Sequence, residues 1–213
     1  MKILICLNIC IFSTNPKSNN IINERIQQYI NGLSAFFKYK EILDKYDIDI
    51  YITDNTIDNI NDIPIQIRNI LPKKVKFSVF KNNIYGCYNK GAGLIQTWLY
   101  NKELINQYDW FIHFEPRQLL KSFNFIENFL KNPRNLFTIN INVKHFNTGL
   151  FCLESKYLIN YISNIDLKYM VNKCISIEWD LYNYINDNDD IKYDILDKMD
   201  ITWFATRDLK YKR

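Results

Sequence analysis

Residues 109–117 read Asp109-Trp-Phe-Ile-His-Phe-Glu-Pro-Arg117. Four large apolar side chains, interrupted only by His113, fill residues 110–114, and the run stops at a Glu-Pro-Arg corner. Such a run is too short for an ordinary helix. It suits a strand buried on both faces, as in a parallel sheet. Working outward, residues 2–10 form a second apolar run that ends in the turn-forming cluster Phe12-Ser-Thr-Asn-Pro16. Residues 47–53 alternate polar and apolar up to Asp54, and residues 75–80 repeat the pattern. Between these runs the apolar spacing turns helical, over 20–45 with Ile22, Ile26, Tyr29, Leu33 and Phe36, and over 89–107. A short helix or loop falls near 64–71. After residue 117 the pattern predicts a helix over 119–130, strands near 136–141 and 150–153, mostly helix over 157–186, and a late strand at 201–204. Strands alternating with helices imply an α/β sheet whose ligands gather at the carboxyl ends of its strands. The polar residues just past those ends are Ser13 to Asn15, Asp54, Glu115 and Arg117.

The composition bounds what such a domain does. The chain has 213 residues, enough for one domain with a sizeable core and no linker-like stretch, so residues 1–213 are taken as a single unit. Its 47% hydrophobic and 23% charged content is globular, which excludes a disordered or fibrous chain. A formal net charge of +4 is too balanced to argue for nucleic acid. Five cysteines without a C-x-x-C pair argue against a disulfide framework and a zinc site, and favour a reducing compartment. No apolar run reaches the roughly 18 residues of a membrane span. The opening twelve residues lack a small-residue cleavage pattern, so a first strand is the better reading than a signal peptide. The 28 Asn against 3 Ala look like AT-rich coding. That bias points to a low-GC bacterium, a parasite or a large DNA virus, and the reducing compartment read from the cysteines to the cytoplasm of such a bacterium or of the virus's host cell.

Four stretches carry chemistry. Asn89-Lys-Gly-Ala-Gly93 opens a helix and lets backbone approach a phosphate, or serves a turn with close helix packing. It fits neither the dinucleotide nor the P-loop pattern. His113 and Glu115 lie two positions apart, on one side of their strand, where an imidazole and a carboxylate suit a divalent ion or a diphosphate. The alternative is a Glu115–Arg117 pair beside a core histidine. Residues 143–149, with His145, Asn147 and Gly149, form either a sugar-binding loop or a plain turn. Ser176-Ile-Glu-Trp-Asp180 starts a helix and offers a carboxylate base beside Trp179, or acids placed against the helix dipole. Only two histidines are present and no G-x-S-x-G, so a nucleophile triad has no support. The basic residues at 73–74 and 210–213 read as solvated surface, with peripheral membrane contact as the alternative for the second.

Taken in order over residues 2–185, these segments resemble the GT-A glycosyltransferase superfamily. The resemblance implies one Rossmann-like α/β domain with a mixed, mostly parallel central sheet flanked by helices. It implies that Asp54 contacts the nucleotide base and that Asn89, Lys90 and Gly91 lie beside the nucleotide, with Ser13, Arg117, His145 and Asn147 as further donor contacts. Where the superfamily carries D-x-D for Mn²⁺ or Mg²⁺, this chain has His113-Phe-Glu115, with one carboxylate. Either Glu115, with His113, holds the metal, or Arg117 and Lys90 neutralise phosphate instead. The late-helix acids Glu178 and Asp180 match the base of inverting members, with Asp180 preferred because it falls four residues after Ser176 and away from Ile177 and Leu181. The implied activity is transfer of a sugar from a nucleoside diphosphate, UDP most commonly, to a glycan or lipid-linked hydroxyl by single displacement. A rival reading is a non-catalytic carbohydrate-binding or assembly module that keeps the fold. All of this places the site along the sheet rim between Asp54 and Glu115.

Overall fold

A computed structural model describes residues 1–12, 22–140, 143–197, 200–205 and 210–212. Its first strand, β1 (Ile3–Asn8), lies inside the sheet, and Ile3 to Leu7 are at most 1% exposed. That burial on both faces is why the run is continuously apolar rather than alternating. Helix α1 (Ile22–Phe37) and the turn of helix α2 (Lys40–Leu43) lead to β2 (Ile48–Asp54), parallel to β1. A short helix α3 (Ile65–Arg68) precedes β3 (Lys76–Val79), parallel to β2. Helices α4 (Lys90–Tyr100) and α5 (Lys102–Ile105) return the chain to β4 (Trp110–Phe114), which pairs parallel with β1 on its other side.

Beyond β4 the chain departs from the simple alternation. Residues 119–120 are not helical: Leu119–Leu120 form β5, and the helix α6 spans Asn124–Lys131. Asp200, distant in sequence, sets that start. Its carboxylate accepts the Phe125 N–H, and it accepts the Ser122 hydroxyl at 2.6 Å. The residue before α6, Phe123, offers no side-chain cap of its own, so the helix end is satisfied by a tertiary contact. Strands β6 (Asn135–Phe137), β7 (Ile139–Asn140), β8 (His145–Phe146) and β9 (Leu150–Glu154) follow. Helices α7 (Ser155–Asn164), α8 (Leu167–Asn172) and α9 (Ile177–Asn186) divide what the apolar spacing presents as one helical stretch. Asp166 caps α8, accepting from the Lys168 and Tyr169 N–H groups at 2.9 and 3.0 Å, and Ser176 caps α9. Strands β10 (Tyr193–Ile195), β11 (Ile201–Ala205) and β12 (Lys210–Lys212) end the described chain. The basic segment at 210–212 is therefore strand, paired antiparallel with β11.

The main sheet has seven strands in the order β10-β6-β9-β4-β1-β2-β3. Strand β9 runs antiparallel to both neighbours, β4 and β6, in a sheet whose other pairings are parallel. The reversal has one consequence for the site. The loop before β9 lands at the rim where β1, β2 and β4 end, and Glu115 N–H donates to the Gly149 carbonyl at 2.9 Å.

Two apolar cores sandwich the sheet. One gathers Ile5, Leu7, Ile52, Ile112 and Phe114 against Tyr29, Leu33 and Phe36 of α1 and the inner face of α6. The other joins Leu4, Cys6, Phe111 and Phe151 to Trp98 of α4 and to Leu158, Met170 and Leu181 of α7, α8 and α9. Each fully buried large side chain contributes about 1.5–3 kcal/mol. Among the described residues no helix is long and apolar enough to cross a membrane.

Candidate functional site

A cleft of about 340 Å³ opens at the carboxyl rim of the parallel strands. Strand β1 supplies Asn8, and Cys10 follows just past its end. The backbone at Cys10 is held from the helix beneath it: its N–H donates to the Tyr29 hydroxyl at 2.7 Å, and its carbonyl accepts from Arg25 Nη1 at 2.7 Å. Arg25 is 5% exposed on the inner face of α1 and lines the cleft.

At the end of β2, Asp54 is fully buried and does not line the cleft. Its carboxylate accepts from Ile11 N–H at 3.0 Å and from Thr56 N–H at 2.6 Å, so it ties the loop after β1 to the loop after β2. Burial pushes its pKa up to about 6, although these hydrogen bonds oppose the shift. The next residue, Asn55, faces the cleft instead. Its amide donates to the Gly93 carbonyl at 2.9 Å and to Asn83 Oδ1 at 3.2 Å.

Helix α4 begins at the cleft. Asn89 caps it through Ala92 N–H at 3.1 Å and donates to the Ile175 carbonyl at 2.8 Å, so its side chain joins α4 to the start of α9 rather than lining the cavity. Lys90 and Gly91 do line it. A Cβ on Gly91 would stand 2.8 Å from Ile177 Cβ and 3.0 Å from Met170 Cε. Close helix packing and backbone exposed to the cleft thus coincide at this glycine.

Strand β4 brings His113 and Glu115 to the same cleft. His113 is 1% exposed, edge-on to Trp98 with ring centres 5.3 Å apart and beside Phe151 at 5.4 Å. Burial lowers its pKa to about 4, against a small upward pull from Glu115, which leaves a neutral imidazole whose Nδ1 makes no hydrogen bond. One oxygen of Glu115, Oε1, accepts from Arg117 Nη2 at 2.6 Å and from Nε at 3.1 Å. Burial favours the neutral acid at Glu115. The Arg117 guanidinium, with smaller help from Lys90, outweighs it and holds the carboxyl below its usual range. At Lys90, partial removal from water and then the like charges of Arg117 and Arg25 pull the pKa down.

The opposite boundary comes from Thr148 in the loop before β9 and from Ile177 and Glu178 at the start of α9. Thr148 Oγ1 donates to Glu178 Oε1 at 3.3 Å. Asp180 lies outside the cavity lining and accepts the Tyr161 hydroxyl at 2.8 Å, and burial raises its pKa while that bond opposes the rise. Asn147 is buried beneath the rim, accepting Gly149 N–H at 3.0 Å, and His145 sits half-buried in β8. Ser13 lies outside the described residues.

The cleft therefore assembles Lys90, Gly91, His113, Glu115, Arg117 and Glu178 from the sequence candidates, and leaves Asp54, Asn89, His145, Asn147 and Asp180 out of its lining. Sequence reasoning missed Asn8, Arg25, Asn55, Asn83 and Gln118, and held Thr148 only as part of the 143–149 loop. Arg25 left a trace: it falls on the stripe of Tyr29, Leu33 and Phe36, where a charge needs a reason. The cleft is cationic on balance, with Arg25, Lys90 and Arg117 against Glu115 and Glu178. As a divalent-metal site its donors are poor. The Glu115 oxygen nearest Arg117 is committed to a guanidinium, His113 is sunk among aromatic rings, and no three His, Cys, Asp or Glu among the described residues come together to hold an ion.

No family model and no curated protein matches the sequence. Solved structures do match the fold. A cytidylyltransferase from Leptospira borgpetersenii serovar Hardjo-bovis aligns with a TM-score of 0.55 at 14% identity, over 93% of this chain and 76% of that one. Mannosyltransferase PcManGT from Pyrobaculum calidifontis, solved in complex with GDP-Man and Mn²⁺, aligns with a TM-score of 0.55 at 8% identity, over 97% of this chain and 58% of its own. Mouse xyloside xylosyltransferase 1, in its apo form, aligns with a TM-score of 0.50 at 10% identity, over 92% and 84%. The chain has the GT-A fold, a single α/β architecture with a mixed, mostly parallel sheet.

Proposed function

We propose that this chain is a glycosyltransferase that takes a sugar from a nucleoside diphosphate, UDP being the first to test, and passes it to a hydroxyl of a glycan or lipid-linked acceptor. The observation that carries the reading is the juxtaposition in one cleft of a carboxylate, Glu178, with the cations Arg25, Lys90 and Arg117, at the carboxyl rim of a GT-A sheet. In the proposed reaction Glu178 accepts the proton of the acceptor hydroxyl. The freed oxygen attacks the anomeric carbon, and the bond to the nucleoside diphosphate breaks with its electrons left on the departing phosphate. Thr148, bonded to Glu178, orients the carboxylate. Asn55 and Asn83 offer polar contacts to the nucleoside. Lys90, Gly91, His113, Glu115 and Arg117 flank the diphosphate and the sugar.

A panel of nucleoside diphosphates and their sugars, scored by the rise in melting temperature, tests the reading. At least one nucleotide should protect the protein, and one nucleotide sugar should be turned over. Glu178→Gln should keep the protection and lose transfer by about 100-fold or more, as removal of a general base does. Asp180→Asn should transfer normally. No protection by any nucleotide would end the proposal, and glycan binding without a nucleotide response would favour the non-catalytic module. Loss of transfer in Asp180→Asn but not in Glu178→Gln would return the base to Asp180.

A further inference from the structure

We infer that the cleft grips a diphosphate with Arg25, Lys90 and Arg117 in place of a divalent cation, and that Glu115 serves as the positioning residue for Arg117 rather than as a metal ligand. The inference rests on the nucleotide-sugar reading for its ligand, and on the geometry around Glu115 for its substance. A carboxylate holds a metal ion best when its oxygens are uncommitted and its charge is not already balanced. One oxygen of Glu115 is already taken by a cation. Both Nε and Nη2 of Arg117 converge on its Oε1, at 3.1 and 2.6 Å. The pair is partly withdrawn from water, with the Arg117 side chain 12% and the Glu115 side chain 29% exposed.

A guanidinium fixed in this way is a ready partner for phosphate oxygens, and its direction is set by the carboxylate behind it. Two more cations line the same cavity from different elements. Arg25 comes from α1, anchored by its bond to the Cys10 carbonyl, and Lys90 from the first turn of α4. Three like charges share one cavity, and an anion between them would relieve their mutual repulsion. The start of α4 brings backbone to the cleft at Gly91, where a side chain has no room. A divalent ion placed here would meet three cations against two carboxylates, of which Glu115 is already engaged by Arg117 and Glu178 by Thr148. A dianionic diphosphate meets the complement of its own charge.

Inorganic pyrophosphate is the probe, because it presents the diphosphate without nucleoside or sugar. Its protection of the intact chain is measured by calorimetry and thermal shift in excess EDTA, and again with Mn²⁺ in excess over pyrophosphate. Binding should occur in EDTA, with Mn²⁺ improving affinity by no more than about twofold. Arg117→Ala and Lys90→Ala should each weaken it by about tenfold or more, as loss of a charge-assisted contact does. Glu115→Ala should weaken it similarly, whereas Glu115→Gln, which still offers Arg117 an acceptor, should restore it to within about threefold. Binding only with Mn²⁺, or no binding in either buffer, overturns the inference even if Arg117→Ala fails to fold, since both are read on the unaltered protein. So does a Glu115→Gln protein that loses a Mn²⁺ response shown by the parent. If pyrophosphate binds in EDTA but no nucleotide does, the cationic grip stands and the nucleotide-sugar reading falls. If nucleotides bind only with Mn²⁺, the reverse holds.

Discussion

Asp54 shows how a single side chain can serve the fold while standing next to the site. Its pKa is raised from 3.8 to about 6, so the folded protein takes up this proton before the unfolded chain does. The stability that results is complete below about pH 4 and is lost as the pH rises through about 6. Relative to Asp54→Asn, the unfolding free energy of the parent should therefore gain about 2 kcal/mol between pH 7 and pH 4, measured by urea titration at both. A difference that stays flat would show that Asp54 ionises as it does in the unfolded chain. The comparison between proteins is needed because His113 acts in the opposite sense. Its pKa falls from 6.5 to about 4, so its contribution is lost as pH drops through that window. Single residues were only partly legible in the sequence. Consecutive strand side chains point to opposite faces, and the end of β2 offers two polar residues, Asp54 and Asn55. Periodicity located the strand end but not which of the two would turn to the cleft. Glu178 and Asp180 pose the same problem on a helix, where two residues differ by about 200° of rotation. The apolar Ile177, Leu181 and Ile185 fix the inner stripe of α9 and leave both acids available on its flanks.

At the scale of elements, the start of α4 is held by three neighbours at once. Asn89 bonds to the Ile175 carbonyl, Gly91 packs on Ile177 and Met170, and Gly93 lies so close to Gly86 that a Cβ would stand 2.6 Å from its Cα. Gly91→Ala should therefore destabilise by about 1–3 kcal/mol, the usual effect of overpacking, and should also weaken pyrophosphate binding by displacing the first turn of the helix. Thermal unfolding and the calorimetric titration report these two effects separately. An unchanged melting point would mean that α4 and α9 have slack between them. The strands of this region were plain in the sequence, since five-residue apolar runs admit few alternatives. Helix α6 was not. Its apolar spacing extends back to Leu119, but β5 pairs with β11 and Asp200 sets the helix start from 75 residues away from Phe125, a contact that no local window contains. The divisions within 157–186 were signalled locally, by Asp166 and Ser176 at cap positions, and needed only the capping rule to be applied at both.

For the molecule as a whole, two cores on either side of one sheet determine which groups solvent can reach. Cys6 and Cys152 are buried in the sheet, where loss of solvent drives their thiols well above the usual range, and Cys10 at the cleft is pushed up to about 11. Cys87 and Cys174 are exposed. A thiol reagent at neutral pH should therefore modify two cysteines quickly in the native protein, Cys10 slowly, and the two sheet cysteines only after denaturation. Bound pyrophosphate should slow Cys10 further, because that residue lines the same cleft. Native reaction at Cys6 or Cys152 would contradict the packing of both cores.

The sequence by itself determined the α/β class, the positions of the first four sheet strands and the rim at which the cleft opens. Each of these follows from local patterns of burial and from the rule that parallel strands expose their carboxyl ends together. Only the tertiary structure decided the reversal of β9, which carries Thr148 to that rim, and the meeting of Arg25, Lys90 and Arg117 around one cleft. Those three cations lie on α1, on α4 and just past β4. Their proximity depends on how two helices pack across opposite faces of the sheet, and that is a sum over the whole core which no stretch of chain encodes alone.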